Sequence, residues 1–161
     1  MKSLTVLWAA MSMMVAGPVN DGIPAFRNYP SAAVFRGTRA PIILDSENQR
    51  KFRTRIVRAS KRPPDFAGEF RIADWGCGTS CVSIAVINLS TGHVYDGPFS
   101  TLGYGSPRDY EGGDDWLDYR LASRLLIARG CPEDRDCGTY YYEWRGNGFA
   151  LLRKVPAPPR R

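Results

Sequence analysis

The chain predicts an α+β domain: one amphipathic helix packed on a mostly antiparallel sheet of about six strands. Three observations carry this. Phe52, Ile56, Val57 and Ala59 recur at near-helical spacing among Arg and Lys residues, and Pro63-Pro64 closes the stretch. After residue 65 the period changes to two, and short apolar runs alternate with Gly-rich turns. Four cysteines form two close pairs, Cys77 with Cys81 and Cys131 with Cys137, as in small domains clasped by disulfides.

Residues 1–19 read as a signal peptide with an approximate cleavage site. Lys2 supplies the positive start, and residues 4–16 are apolar except for Thr5 and Ser12, too short to span a bilayer comfortably. No transmembrane anchor is expected after processing. Residues 20–44 hold Gly22, Pro24, Pro30, Gly37 and Pro41 without a sustained period, an irregular lead-in with an edge strand at most over 40–44. A single domain follows over 45–155. Asp45 or Ser46 caps a helix over 47–60, its apolar stripe on the core and its arginines outward.

The strands follow from alternation. In 69–74, Phe70 and Ile72 point one way and Glu69 and Arg71 the other. Residues 82–88 are densely apolar, as expected of a central strand, and Ser90-Thr91-Gly92 turns the chain back through 93–95. Residues 117–121 and 123–128 read as two further strands, although Leu125, Leu126 and Ile127 also fit a short helix. Residues 138–144 place Tyr140, Tyr142 and Trp144 on one face, expected buried, with Tyr141 and Glu143 on the other. Arg145-Gly146-Asn147-Gly148 turns into a last strand over 149–155, and 156–161 is a flexible Pro/Arg tail.

Charge is unevenly distributed. Of 161 residues, 22 are basic and 16 acidic. Residues 27–62 carry ten basic and two acidic side chains, and 65–118 carry two basic and nine acidic. This produces a two-sided molecule if the segments stay apart, and the basic side suits anionic envelope partners such as lipid headgroups or acidic polysaccharide. The plainer role of such a run is a solvated helix face. Nucleic acid is not an expected partner of an exported chain.

Four cysteines allow three pairings. Local rings are each worth about 2 kcal/mol by chain entropy, and cross-cluster bonds closing about fifty residues about 4 kcal/mol. Fast closure between near neighbours favours the local rings, Cys77–Cys81 and Cys131–Cys137. A four-cysteine zinc site fits the spacings C-x₃-C and C-x₅-C poorly, so no metal and no cofactor are expected.

The ring encloses Gly78, Thr79 and Ser80, and these are the first binding candidates. The second set lies in the stretch 100–115 and at its exit: Tyr104, Asp109, Tyr110 and Trp116, aromatic and acidic groups on a long loop. His93 is the lone histidine and directly follows a turn glycine, a poor position for a general base. No catalytic residue is assigned. An enzyme built on this chain would have to use Cys77, Cys81, Asp109, Asp114 or Asp115.

The strings Phe66-Ala67-Gly68-Glu69-Phe70, Trp75-Gly76-Cys77-Gly78-Thr79-Ser80-Cys81, Ser123-Arg124-Leu125-Leu126-Ile127 and Tyr140-Tyr141-Tyr142-Glu143-Trp144 resemble those of a family of small uncharacterised exported bacterial proteins. The resemblance covers roughly residues 50–153 and implies a shared fold unit and export, not a reaction. A looser likeness is to periplasmic lysozyme inhibitors of the Ivy type, in which a short cysteine-closed loop precedes a strand and plugs the target's cleft. Cys77 to Cys81, then Ile84-Ala85-Val86, then Phe99-Ser100-Thr101 follow a similar order. The inhibitor loop is longer and carries a histidine, which this ring lacks.

The expected function is therefore that of a periplasmic or secreted binding protein, inhibitor-like, acting through the disulfide-closed loop on an envelope or extracellular protein or glycan. A carboxylate- or thiol-dependent enzyme is the alternative, and a purely structural envelope component the third class.

Overall fold

A computed structural model describes residues 22–104 and 115–158. The signal stretch, Asp109, Tyr110, Asp114 and the last three residues lie outside the described residues. In chain order the elements are α1 (Glu47–Lys51), α2 (Arg53–Ser60), β1 (Phe70–Gly78), β2 (Cys81–Asn88), β3 (Val94–Asp96), β4 (Leu102–Gly103), β5 (Leu117–Tyr119), β6 (Leu125–Pro132), β7 (Gly138–Trp144) and β8 (Phe149–Pro156). The α+β class holds. Residues 125–127 are strand, and the expected edge strand at 40–44 is reduced to one bridge, Ile43 to His93.

The strands join in the order β1-β2-β4-β6-β7-β8, with β3 beside β2 and β5 beside β6. The stitch between the two halves is β4. Leu102 pairs with Val82 and Pro132, and Gly103 with Cys81 and Cys131. Two residues are too few to show a period, which is why β4 left no mark in the sequence.

Both halves bury side chains on both faces, as the dense run in β2 demands. Between them lies the main core, with Phe70, Ile72, Ile84 and Val86 from one half and Leu126, Ala128, Tyr140, Tyr142 and Trp144 from the other. Trp144 is its pivot, 1 % exposed, with the rings of Phe149 at 4.9 Å, Phe70 at 5.1 Å and Tyr95 at 5.4 Å. The opposite face of β1 and β2 (Ala73, Trp75, Ala85, Ile87) takes Ile56 and Phe52 from the helical segment. The opposite face of β6 and β7 (Leu125, Ile127, Tyr141) takes Phe26 and Tyr29 from the lead-in.

The helical stretch starts as its capping residue dictates. Ser46 Oγ accepts the Gln49 N–H, and the Gln49 side chain accepts the Ser46 N–H in return. Gln49 also donates to the Val94 carbonyl at 3.1 Å, which ties the helix start to β3. The single helix expected over 47–60 is interrupted at Phe52, whose φ of −101° and ψ of 17° leave the helical well. Its ring stacks on Trp75 with centroids 4.6 Å apart. Such a pair adds about 0.5–1.5 kcal/mol beyond area burial, and the hydrogen bonds from Phe52 N–H to the Asn48 carbonyl and from Ile56 N–H to the Phe52 carbonyl continue through the irregularity.

The unpaired border of β1 is occupied at two places. Phe66 and Phe70 exchange backbone hydrogen bonds, and the Ile72 N–H donates to Asp65 Oδ1 at 3.0 Å. Asp65 is fixed in turn by Arg71, 2.7 Å away.

Candidate functional site

The local pairing of the cysteines is what the fold contains: Cys77–Cys81 with Cα atoms 5.3 Å apart, and Cys131–Cys137 with Cα atoms 4.0 Å apart. Each ring closes the tip of a hairpin, β1–β2 and β6–β7. The first tip stands clear of the body, since residues 76–80 are all exposed and a side chain at Gly78 would meet nothing within 4 Å. Gly78 (φ 144°) and Ser80 (φ 55°) take the left-handed conformations that so tight a ring requires.

The sequence treated the two rings as separate features. The fold brings them together, because Gly103 pairs with Cys81 on one side and Cys131 on the other. A side-chain carbon at 103 would lie 2.5 Å from Asp134 Oδ1, so a larger residue here would displace that exposed carboxylate. Around this clasp the Ser83 hydroxyl donates to the Ser100 carbonyl, and the Ser100 N–H and hydroxyl both donate to Glu133 Oε1. The rim of the second ring is held by Tyr140, whose hydroxyl donates to the Asp136 carbonyl.

Gly78, Thr79, Ser80, Tyr104 and Trp116 fall in one neighbourhood. The Tyr104 N–H donates to the Ser80 carbonyl at 2.9 Å, and the Tyr104 ring stacks on Trp116 with centroids 4.3 Å apart and planes 23° from parallel. Trp116 is positioned from beneath by Arg129, which is 1 % exposed. The Arg129 N–H donates to the Trp116 carbonyl and its guanidinium to the Asp115 carbonyl, both at 2.8 Å. Asp109 and Tyr110 lie outside the described residues.

Beside the stacked pair is a hollow of about 310 Å³ lined by Asp74, Val82, Tyr104, Trp116, Leu117 and Tyr119, with Asp115 at its edge. Asp74, Val82 and Tyr119 were not singled out by sequence reasoning. Alternation was the available signal, since Asp74 shares a face with Phe70 and Ile72. The Tyr119 phenol is pushed up to about 12, first by burial and then by the Asp65 and Asp74 carboxylates. Burial likewise raises the Asp65 carboxyl, against the opposing pull of the Ile72 N–H and Arg71. The hollow thus offers the Tyr119 phenol, two stacked rings and the Asp74 side chain, groups that hold a ligand by contact and hydrogen bonding.

A larger hollow, about 590 Å³, is lined by Ala67, Glu69 and Phe70, by Arg124, and by Glu143 and Trp144. Its charged groups are already satisfied. Glu143 binds Arg124 at 2.6 Å and Arg145 at 3.3 Å, and Glu69 accepts from Asn88 and Ser90. This reads as a latch between the two halves of the fold. His93 lies on the surface 3.7 Å from Asp45. Among the described residues, no group of three or more His, Cys, Asp or Glu side chains is placed to hold a metal ion, and no helix is long and apolar enough to cross a membrane.

No family model, curated protein or solved structure matches the chain.

Proposed function

We propose that this is an exported binding protein, inhibitor-like, that presents the Cys77–Cys81 tip and the adjoining Tyr104–Trp116 wall to an envelope or extracellular protein or glycan. The observation that carries the reading is the bond from the Tyr104 N–H to the Ser80 carbonyl, which joins an exposed covalent ring to a stacked aromatic pair as one continuous surface. A ring held rigid before contact loses little entropy on docking. Two disulfides with no free cysteine among the described residues suit an oxidising compartment, periplasmic or extracellular, in keeping with the leader-like start of the chain.

Kinship with the small exported bacterial proteins is part of the same proposal. It is supported by the way residues from three of the recurring strings line a single hollow between the halves of the fold.

The test is capture from envelope extract with native protein and with Thr79→Arg. Thr79 is exposed, so the long cationic side chain leaves the fold intact and blocks the docking face. The expected result is loss of the captured partner with a melting temperature nearly unchanged, and undiminished capture refutes the reading. Protease treatment of the extract then separates a protein partner from a glycan.

A further inference from the structure

A second, chemically different site lies on the helical side of β1. Arg55 and Arg58 stand one turn apart on α2, Arg62 follows just past its end, and Arg71 projects from β1. These four guanidiniums, with Ala59, Ile72 and Asp74, line a hollow of about 150 Å³. The size suits one small polyatomic ion.

Three of the four charges there are not consumed internally. Arg55, Arg58 and Arg62 make no side-chain hydrogen bond or ion pair among the described residues. Arg71 reaches Asp65 and the Pro63 carbonyl through one terminal nitrogen, while its Nε is buried without an acceptor. Asp74 is the one carboxylate on the lining, and Asp65 stands behind Arg71, so the cations outnumber the carboxylates two to one. Like charges so gathered repel one another, and an anion between them relieves that repulsion. Planar guanidinium forks match the paired oxygens of a phosphate better than a point charge does. An ordinary role exists for Arg58 and Arg62, since cations near a helix C-terminus offset its dipole. That role does not explain Arg71, which comes from another element.

We propose that Arg55, Arg58, Arg62 and Arg71 form a binding site for a phosphate group, either free in solution or carried on a lipid headgroup. The site does not include the disulfide-closed tip, although Asp74 lines both this hollow and the one beside Tyr104 and Trp116, and it does not depend on the function proposed for the tip.

The experiment titrates full-length mature protein with inorganic phosphate, and separately with phosphatidylglycerol vesicles, using phosphatidylcholine vesicles as the uncharged reference. The Arg58→Gln/Arg62→Gln variant keeps Arg71 and its Asp65 pair. An Arg27→Gln/Arg36→Gln variant removes equal charge from exposed positions elsewhere. Removing two charge-assisted contacts should weaken binding by about tenfold or more, with the control pair near native. Saturable binding of inorganic phosphate that only the pocket variant loses supports the free ion as ligand. Vesicle binding lost only in the pocket variant, without binding of inorganic phosphate at millimolar concentration, supports a headgroup. Equal affinity in native protein and pocket variant, the same loss in both variants, or no binding in either arm overturns the proposal. A fall in melting temperature without a change in affinity would mean that the arginines serve the helix end alone.

Discussion

Opening the Cys77–Cys81 ring with the paired substitution Cys77→Ser and Cys81→Ser separates what the crosslink does for the fold from what it does for docking. The loop it closes is five residues long, and in the chain-entropy treatment such a loop restricts the unfolded chain by about 2 kcal/mol. Little is lost from the folded side, because residues 76–80 are exposed and add nothing to any of the three apolar clusters. For a domain of this size about 2 kcal/mol corresponds to a fall of about 6–8 °C in Tm. Docking should suffer more. Re-ordering Gly78, Thr79 and Ser80 on contact costs up to about 3 kcal/mol, or a factor of about 100 in Kd. Thermal and urea melts followed by circular dichroism, run beside a titration of the captured partner, measure both quantities. If Tm and Kd are unchanged, the Gly76–Val82 pairing and the Tyr104–Ser80 bond already hold the tip, and the reasoning fails. A loss above about 5 kcal/mol refutes it differently, by making the crosslink a support of folded packing.

Two further outcomes test the core. Trp144→Ala removes a ring that is 1 % exposed and packed against four others, so unfolding in urea should show about 3–5 kcal/mol of destabilisation; under 1 kcal/mol would deny Trp144 its central place. The Tyr119 and Tyr142 phenols are each pushed up to about 12, chiefly by burial. The folded state therefore holds these protons more tightly than the unfolded chain, so their contribution to stability is complete below about pH 10 and is lost as pH rises toward 12. Tyrosinate absorbance should show a late-ionising fraction among the eight tyrosines, reduced in Tyr119→Phe and Tyr142→Phe, and a single transition near pH 10 would contradict it.

What could be read in advance was whatever a local pattern expresses. The face shared by Tyr140, Tyr142 and Trp144 is buried, the dense run in β2 is an interior strand, and each cysteine found its near neighbour. The irregularity at Phe52 was not legible, since no local signal marks it and the Trp75 ring on which Phe52 stacks lies more than twenty positions along the chain. The irregular lead-in gave no hint that Phe26, Tyr29 and Phe35 would cover the outer faces of two different halves of the fold. At the site, Tyr104, Trp116 and the ring were named from composition and loop length. Their junction depends on a two-residue strand and on Arg129, neither of which carries a motif. The arginines of α2 had the signature of a solvated face, and only the position of Arg71 on β1 turns that face into a hollow.

The Asp65 carboxylate and the Phe66–Phe70 exchange have a bearing on how copies of this molecule meet. A sheet that stops with vacant amides invites another strand to continue it, and in a crowded compartment that invitation ends in fibres. Asp65 stoppers one such amide and Phe66 a neighbouring position. At the far margin, β8 ends in Arg153, Lys154 and Pro156, charged and imino residues that discourage a further strand, while Leu151 on the same strand is exposed. Both flanks of the sheet thus carry features that discourage growth, at Phe70 and Ile72 on one side and at the end of β8 on the other.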